Sequence, residues 1–306
     1  MNLVIADSGL GGLSVCAKLL RILTEPSRSY LPHSPFGEIQ ITYINAVPSN
    51  NRGYNSMSGK AEQLKTFENI LWNTEKIFFP DYIFVACGTL SVLLNDLEIP
   101  KVKNFNIEGI LPIYLKLLFS KMNKDTRTSA IIFGTPTTIK AKSLQNELFR
   151  KGVKKERIIT QECPNLATQI SNDPDGLIVE KSIQQWVRKA LRKLPENHKN
   201  TLLVFLACTH YGYRQEIFQK SFYEEGLKSI NLLNPNYAAA EFLKKIVSKK
   251  MNSNKTKSKK ISMEFVSPYA IPKKEIITLT QLLSPISPVT AQALQNSRIC
   301  PELLKY

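Results

Sequence analysis

Short apolar strand patterns alternate with amphipathic helical patterns along most of the chain, and this alternation limits the fold more than any other feature. The segments with the character of buried strands are residues 2–6, 40–44, 82–86, 129–134, 157–161, 202–207 and 261–266. Amphipathic segments lie between them, at residues 12–24, 56–78, 109–122, 137–150, 177–194 and 237–249. Such alternation is typical of βαβ units with parallel strands. We therefore predict an α/β fold with mostly parallel sheets.

Composition limits the class of protein further. The chain has 306 residues, of which 43% are hydrophobic and 22% charged, as in ordinary globular proteins of about two domains. No apolar run approaches the length of a membrane span, and the start lacks a secretory signal pattern, so we expect a cytoplasmic protein that does not enter a membrane. The five cysteines are odd in number and form no C-x-x-C pair, which argues against disulfides and a structural zinc site.

Half of the formal net charge of +16 lies in one segment. Residues 244–260 contain eight lysines and no acidic residue. Such runs are usually solvated surface, although a nucleic-acid contact is an open alternative. No aromatic residue lies among these lysines, which weakens the case for a stacking platform for single strands.

Four predicted strand ends carry residues suited to chemistry, and in parallel α/β folds the chemistry lies at the carboxyl ends of strands. Asp7 and Ser8 follow the first strand, Cys87-Gly-Thr89 the third, Thr135-Pro-Thr-Thr138 the fourth, and Cys208-Thr-His210 the sixth. Residues 84–87 and 205–208 share the pattern F-x-A-C. This pattern suggests a duplicated α/β half, each copy presenting one thiol.

The glycines at 9, 11 and 12 do not form a nucleotide-binding motif. The run lacks the third glycine of G-x-G-x-x-G, and no G-K-[ST] follows, so no nucleotide cofactor is predicted. Two interpretations remain compatible: a tight turn from strand to helix, and a cradle of backbone N–H groups for an anion.

Two cysteines that end matching strands suggest a pair facing one cleft. A thiol at such a position is expected to have a pKa below the ordinary value of about 8.5. One thiolate could then remove a proton while the other thiol donates one to the opposite face, which inverts a stereocentre without a cofactor. Asp7 and His210 would each lie beside one thiol. A buried cysteine is more often structural, and Cys16, Cys163 and Cys300 are assigned that role.

Four segments resemble the motifs of glutamate racemase, a member of the aspartate/glutamate racemase superfamily. They are DSGLGGLSV from Asp7, ACGTLS from Ala86, GTPTT from Gly134 and LACTHY from Leu206. The resemblance runs from residue 1 to about residue 270. It implies two pseudo-symmetric α/β domains with the active site in the cleft between them. The first domain would comprise residues 1–98 and 230–306, and the second residues 99–229.

The resemblance also implies an activity and a set of residues. Family members racemise glutamate without pyridoxal phosphate or a metal, and they supply D-glutamate for peptidoglycan in the bacterial cytoplasm. The catalytic residues implied are Cys87 and Cys208, with Asp7 and His210 beside them. The substrate-binding residues implied are Asp7, Ser8, Arg52, Gly53, Gly88, Thr89, Thr209 and His210.

Departures from the family pattern leave the substrate open. Gly88 stands where the family usually has Asn, Arg52 replaces a Tyr, and Ser171 falls where a Glu is expected; an insert also lies around residues 24–36. Arg52 could bind a carboxylate bidentately or be an exposed surface residue.

Glutamate is the first candidate substrate, and aspartate or another small amino acid is the second. The third hypothesis is a binding or regulatory protein that works through its lysine-rich segment. The expected partner is a small acidic amino acid, and a homodimer is compatible with a sequence that does not specify assembly.

Overall fold

The predicted alternation of strands and helices is present in the computed structural model, which describes residues 1–24, 39–98, 106–195, 201–251 and 261–305. The strands are β1 (Asn2–Asp7), β2 (Ile39–Asn45), β3 (Tyr82–Val85), β4 (Ile107–Gly109), β5 (Ser129–Gly134), β6 (Ile158–Glu162), β7 (Leu202–Leu206), β8 (Ile230–Leu233), β9 (Ile261–Ser267) and β10 (Arg298–Ile299).

The helices lie between these strands and after them. They are α1 (Leu13–Thr24), α2 (Lys60–Phe78), α3 (Gly88–Leu94), α4 (Leu111–Met122), α5 (Pro136–Lys140), α6 (Ser143–Arg150), α7 (Leu166–Asn172), α8 (Leu177–Leu191), α9 (Gln215–Glu224), α10 (Pro235–Met251), α11 (Lys273–Leu283) and α12 (Pro288–Gln295). The segment predicted as one helix over residues 137–150 is two helices. Lys142 separates them in the left-handed region, with a φ of 55°.

The strands form two sheets, in which every described pairing is parallel. The first sheet has the order β10-β9-β2-β1-β3-β4, and the second has the order β6-β5-β7-β8. The central strands β1, β3, β5 and β7 are almost wholly buried, as expected for parallel strands covered by helices on both faces. The predicted fold class, two α/β units with mostly parallel sheets, is confirmed.

The two sheets do not divide the chain where the predicted domains do. β4 lies beyond residue 98 but pairs with β3 in the first sheet. β8 begins at Ile230 but pairs with β7 in the second sheet. The sequence pattern does not predict strands β4, β8 and β10, which are two to four residues long and too short to show a periodicity. The division of the chain into domains stays a prediction.

Several sequence features lie outside the described residues. They are most of the insert at 24–36, with His33, and also His198 and the lysines at 255, 257, 259 and 260. The other lysines of the basic run lie on α10, where Lys250 pairs with Asp81. Within the described parts of the chain, no helix combines the length and apolar character needed to cross a membrane.

Candidate active site

A cavity of about 380 Å3 lies where the strand ends of the two sheets meet. Its wall includes nearly all of the residues that the sequence analysis assigned to the site. They are Asp7, Ser8, Gly53, Cys87, Gly88, Thr89, Cys208, Thr209 and His210. The chain separates Asp7 from Thr209 by 202 positions, so only the packing of the two halves brings these side chains together.

Cys87 lies between β3 and α3 and caps the first turn of that helix. Its sulfur accepts hydrogen bonds from the backbone N–H of Leu90 at 3.3 Å and of Ser8 at 3.4 Å, and its thiol donates to Ser8 Oγ at 3.3 Å. Burial and the nearby Asp7 nevertheless raise the thiol pKa well above its usual value. The predicted lowering of this pKa is wrong, because desolvation of a thiolate outweighs the N–H donors.

Cys208 occupies the matching position after β7, in the other half. Burial raises the pKa of its thiol to about 12, and Asp7 adds to the effect. Backbone hydrogen bonds from His210 and Tyr211 act in the opposite direction. Both thiols are therefore protonated near neutral pH, and each lies at the carboxyl end of a strand on the cavity wall.

Asp7 is the acidic group of the cavity that influences both thiols. Its carboxylate is 1% exposed and accepts a hydrogen bond from Thr209 Oγ1 at 3.0 Å and another from the backbone N–H of Gly12. Burial raises its pKa to about 7, although both hydrogen bonds lower it. A carboxylate with a pKa near the working pH is suited to exchanging protons with its neighbours.

His210 is buried beside the glycine-rich turn that follows β1. Burial lowers the pKa of its imidazole to about 4. The ring is therefore neutral at neutral pH and adds no positive charge to the cavity.

The glycine run permits the close approach of the two halves. A Cβ added to Gly11 would collide with Thr209 Oγ1 and with Nδ1 of His210, and one added to Gly12 would lie 2.7 Å from Asp7 Oδ2. Larger residues here would push apart the strand ends that carry Asp7 and Thr209. The sequence alone left the role of these glycines open between a turn and an anion cradle, and the geometry favours close packing.

Gly88, where the family usually has Asn, has an equally local explanation. A Cβ on this residue would lie 3.0 Å from the carbonyl oxygen of Ala207 and 3.1 Å from the side chain of Thr138. Thr138 belongs to a chain of hydroxyls: Thr89 and Thr135 lie 3.0 Å apart, and Thr135 and Thr138 lie 2.9 Å apart, measured between Oγ1 atoms. The threonines after β5 thus fill the space next to residue 88 and bring hydroxyl groups to the wall.

Arg52 is the one predicted site residue that does not line the cavity. Its side chain is 56% exposed, and its guanidinium pairs with Glu62 at 2.6 Å. This ion pair holds the guanidinium at the surface of α2, as expected if Arg52 is a surface residue. Arg52 is therefore not part of the proposed site. Ser171, at the position expected to hold a Glu, is buried on the wall.

The wall also contains polar residues that sequence reasoning missed, among them Asn45, Tyr269 and Glu275. Asn45 ends β2 and is the register partner of Asp7. The strand pattern in the sequence ends at residue 44, one residue before Asn45, so Asn45 is not among the predicted strand-end residues. Tyr269 and Glu275 come from the loop after β9 and from α11, and no local pattern connects either of them with residues near position 7.

The described residues contain no group of three or more His, Cys, Asp or Glu side chains placed to hold a metal ion. The chemistry available on the wall includes two thiols from opposite halves, the carboxyl group of Asp7 with a pKa of about 7, the carboxyl group of Glu275 and several hydroxyl donors. Such a set can exchange protons with a small ligand between the thiols.

Known proteins share both this sequence pattern and this fold. The chain is 26% identical over 262 residues to the glutamate racemase of Aliarcobacter butzleri, covering 83% of this chain and 87% of that protein. It is also 26% identical over 306 residues to the glutamate racemase of Persephonella marina, covering 98% and 99% of the two chains. No model of a protein family matches the chain.

A solved structure agrees in fold at lower identity. The glutamate racemase of Francisella tularensis, determined in complex with D-glutamate, superposes with a TM-score of 0.68 at 18% identity, covering 98% of this chain and 97% of that one. The fold therefore defines the structural class, that of two-sheet α/β proteins with parallel strands. Within that class the chain resembles glutamate racemase. The predicted resemblance and the predicted kind of enzyme, a racemase-type isomerase, are confirmed by these relatives.

Proposed function

We propose that this chain interconverts the enantiomers of glutamate by proton exchange between two thiols and the substrate Cα. The observation that carries the proposal is the placement of Cys87 and Cys208 on one cavity wall, each at a strand end of a different sheet. The glutamate racemases to which the chain is similar make glutamate the first substrate to test.

Substrate binding in this proposal uses neutral donors. The hydroxyl groups of Ser8, Thr89 and Thr209 lie on the wall. The hydroxyl of Thr89 hydrogen-bonds to that of Thr135, which hydrogen-bonds in turn to that of Thr138. Gly53 and Gly88 line the same wall and leave backbone groups accessible to a ligand. We propose that these groups hold the carboxylates and ammonium of the amino acid with Cα between the two sulfurs.

The proposed reaction has two proton transfers. A thiolate on one side takes the proton from Cα, and the electron pair of the broken C–H bond remains on the substrate as a carbanion. The thiol on the other side then gives its proton to the opposite face of Cα. The product is the other enantiomer, and the two cysteines have exchanged protonation states. Preorganised donors and exclusion of water stabilise the charge that develops.

A thiolate must first form, and we propose that Asp7 and His210 assist. Burial gives both thiols a high pKa, so a base is needed near neutral pH. Asp7, with a pKa of about 7, can accept a proton there, and its charge acts on both sulfurs. His210 lies two positions after Cys208, and because its pKa is about 4 it would assist as a neutral hydrogen-bonding group rather than as a base.

The biological role follows from the resemblance. We propose that the enzyme needs no cofactor, works in the bacterial cytoplasm and supplies D-glutamate for peptidoglycan. A homodimer stays a prediction from sequence, as does the alternative of a binding protein that uses the lysine-rich segment. The site does not favour that alternative, because both thiols, Asp7 and the Cys-Thr-His run meet in one cavity.

The first test is incorporation of solvent deuterium at Cα, followed by proton NMR. L-glutamate and L-aspartate are incubated separately in D2O with reduced protein and no cofactor. Exchange with growth of the D-isomer in the glutamate sample is the expected result. Exchange with aspartate alone would move the proposal to the second substrate. Lack of exchange with both, from folded protein, would refute the proposed activity.

A further inference from the structure

Glu275 brings to the cavity wall a carboxyl group that the two-thiol reaction leaves without a role. It lies on α11, between β9 and β10 of the first sheet, and the side chain of Asn172 at the end of α7 in the other half hydrogen-bonds to it. The helices α11 and α7 pack against each other. Glu275 is therefore fixed across the junction of the halves and borders the space that a ligand would occupy.

The charge balance of the wall bears on how a dicarboxylic amino acid could bind there. Among the described residues that line the cavity, Asp7 and Glu275 are acidic and none is lysine or arginine. His210 is neutral near pH 7. A second carboxylate on the substrate would add negative charge to this wall, and burying an unpaired charge is costly. If one carboxyl group of the wall takes up a proton, the complex contains one negative charge fewer.

Asp7, with a pKa of about 7, is already assigned to the proton exchange with the thiols, so Glu275 is the carboxyl group left for that role. Two hydrogen bonds from Thr209 and Gly12 stabilise the ionised form of Asp7. At Glu275, the hydrogen bond from Asn172 lowers the pKa, but burial has the larger effect and raises it. Its charge in turn acts on the hydroxyl of Tyr269 and contributes to that group's raised pKa.

The surroundings of Glu275 contain few groups that would hold its charge. The charged or titratable residues on the elements packed around it and across the cavity are Tyr269 in the loop after β9, Asp173 beyond α7, Cys16, Lys18 and Arg21 on α1, Lys273 and Lys274 on its own helix, and Asp7, Tyr54, Cys87, Cys208 and His210 on the wall. The pKa of Glu275 responds to burial and to Asn172, and no basic side chain is among the causes of its shift. Asp173 accepts a hydrogen bond from the backbone of Val179 at 2.9 Å, so its carboxylate is directed toward α8.

We propose that Glu275 binds the side-chain carboxylate of the substrate as a neutral carboxylic acid and donates its O–H to that carboxylate. One proton passes from solvent to Glu275 as the complex forms and returns to solvent on release, with no covalent step. The inference rests on the proposed function, because it requires an acidic amino acid in the cavity. It makes Glu275 a specificity-determining residue that takes the place of a basic one.

The test compares wild-type protein with Glu275→Gln and Glu275→Ala. Titration calorimetry with racemic glutamate between pH 6 and 8.5 gives the Kd, and two buffers of different ionisation enthalpy give the protons taken up. A single linked proton changes Kd by at most about tenfold per pH unit. The amide of Glu275→Gln is a permanent donor, so this variant should bind at pH 8 at least as tightly as wild type and take up fewer protons. Glu275→Ala should bind more weakly at pH 6.

The matched control is Glu216→Gln, which removes the same charge at an exposed position outside the cavity and should follow wild type. Weaker binding by Glu275→Gln at every pH would overturn the proposal, since it would mean that a carboxylate receives the substrate ammonium. Unchanged proton uptake in that variant would also overturn it. These results concern Glu275 alone, whereas wild-type protein that neither binds glutamate nor exchanges its Cα proton would refute the proposed function and this inference together.

Discussion

Thr209 donates a hydrogen bond from its hydroxyl to Asp7 Oδ2 at 3.0 Å, and this contact joins the strand ends of the two sheets at the centre of the candidate site. The backbone carbonyl of Thr209 accepts a hydrogen bond from Asn236 at 2.9 Å, which fixes the segment that carries it. One residue thus influences the proton affinity of Asp7 and also holds Cys208 and His210 in place.

Loss of the Thr209 hydroxyl should move the pH dependence of the reaction. The hydrogen bond lowers the pKa of Asp7, so Thr209→Val should raise that pKa. If ionised Asp7 is the base, the acidic limb of kcat/KM then shifts to higher pH. Thr209→Ser keeps the hydroxyl and should restore the wild-type profile. An unshifted limb in an active Thr209→Val enzyme would show that Asp7 does not set it.

Each thiol should be indispensable for racemisation. Cys87→Ala and Cys208→Ala each remove one of the two proton donors, so turnover should fall by at least about 10²–10⁴-fold. The rate is measured by polarimetry from each enantiomer. Cys163→Ala is the matched control, because Cys163 is a buried cysteine outside the cavity wall. Turnover near the wild-type rate in both single variants would exclude the two-thiol mechanism.

Asp7 should destabilise the fold at neutral pH. Its pKa rises from 3.8 to about 7 on folding, which corresponds to about 4 kcal/mol. In the folded state Asp7 stays protonated up to about pH 7, whereas in the unfolded state it ionises near pH 3.8. The free energy of unfolding therefore decreases as the pH rises from 3.8 to about 7.

Asp7→Asn should therefore unfold at higher urea concentration than wild type at pH 8, with a smaller advantage at pH 5, and should be inactive. Asp175→Asn, at an exposed position, serves as control. Equal stability of Asp7→Asn and wild type at pH 8 would contradict the raised pKa.

Gly11→Ala should damage both stability and activity. Its Cβ would collide with Thr209 and His210, and relieving such overpacking typically costs about 1–3 kcal/mol. Urea unfolding and kcat measure the two effects. Gly59→Ala is the stability control, since a Cβ there meets no atom within 4 Å. A Gly11→Ala protein as stable and active as wild type would show that the two halves need not approach so closely.

Arg52→Ala should leave substrate binding unchanged. The guanidinium pairs with Glu62 on the surface and does not line the cavity, so the KM for glutamate should change by less than about twofold, as for other surface ion pairs of small energetic effect. Ser8→Ala, by contrast, should raise KM. A large increase in KM for Arg52→Ala would return this residue to the binding site.

The sequence by itself determined the α/β class and most of the cavity. Alternating apolar strands and amphipathic helices are local patterns, and the rule that parallel strands present chemistry at their carboxyl ends led directly to Asp7, Cys87 and Cys208. The structure places all three on one wall.

Tertiary structure alone decided the rest. The burial that gives Asp7 a pKa of about 7 and raises the pKa of both thiols depends on atoms supplied by the opposite half, which no local pattern contains. The same holds for Glu275, which reaches the wall because α11 packs on α7, and for Arg52, which an ion pair with Glu62 holds at the surface. Strand periodicity reports which face of an element is buried, whereas desolvation and charge pairing depend on what that face meets.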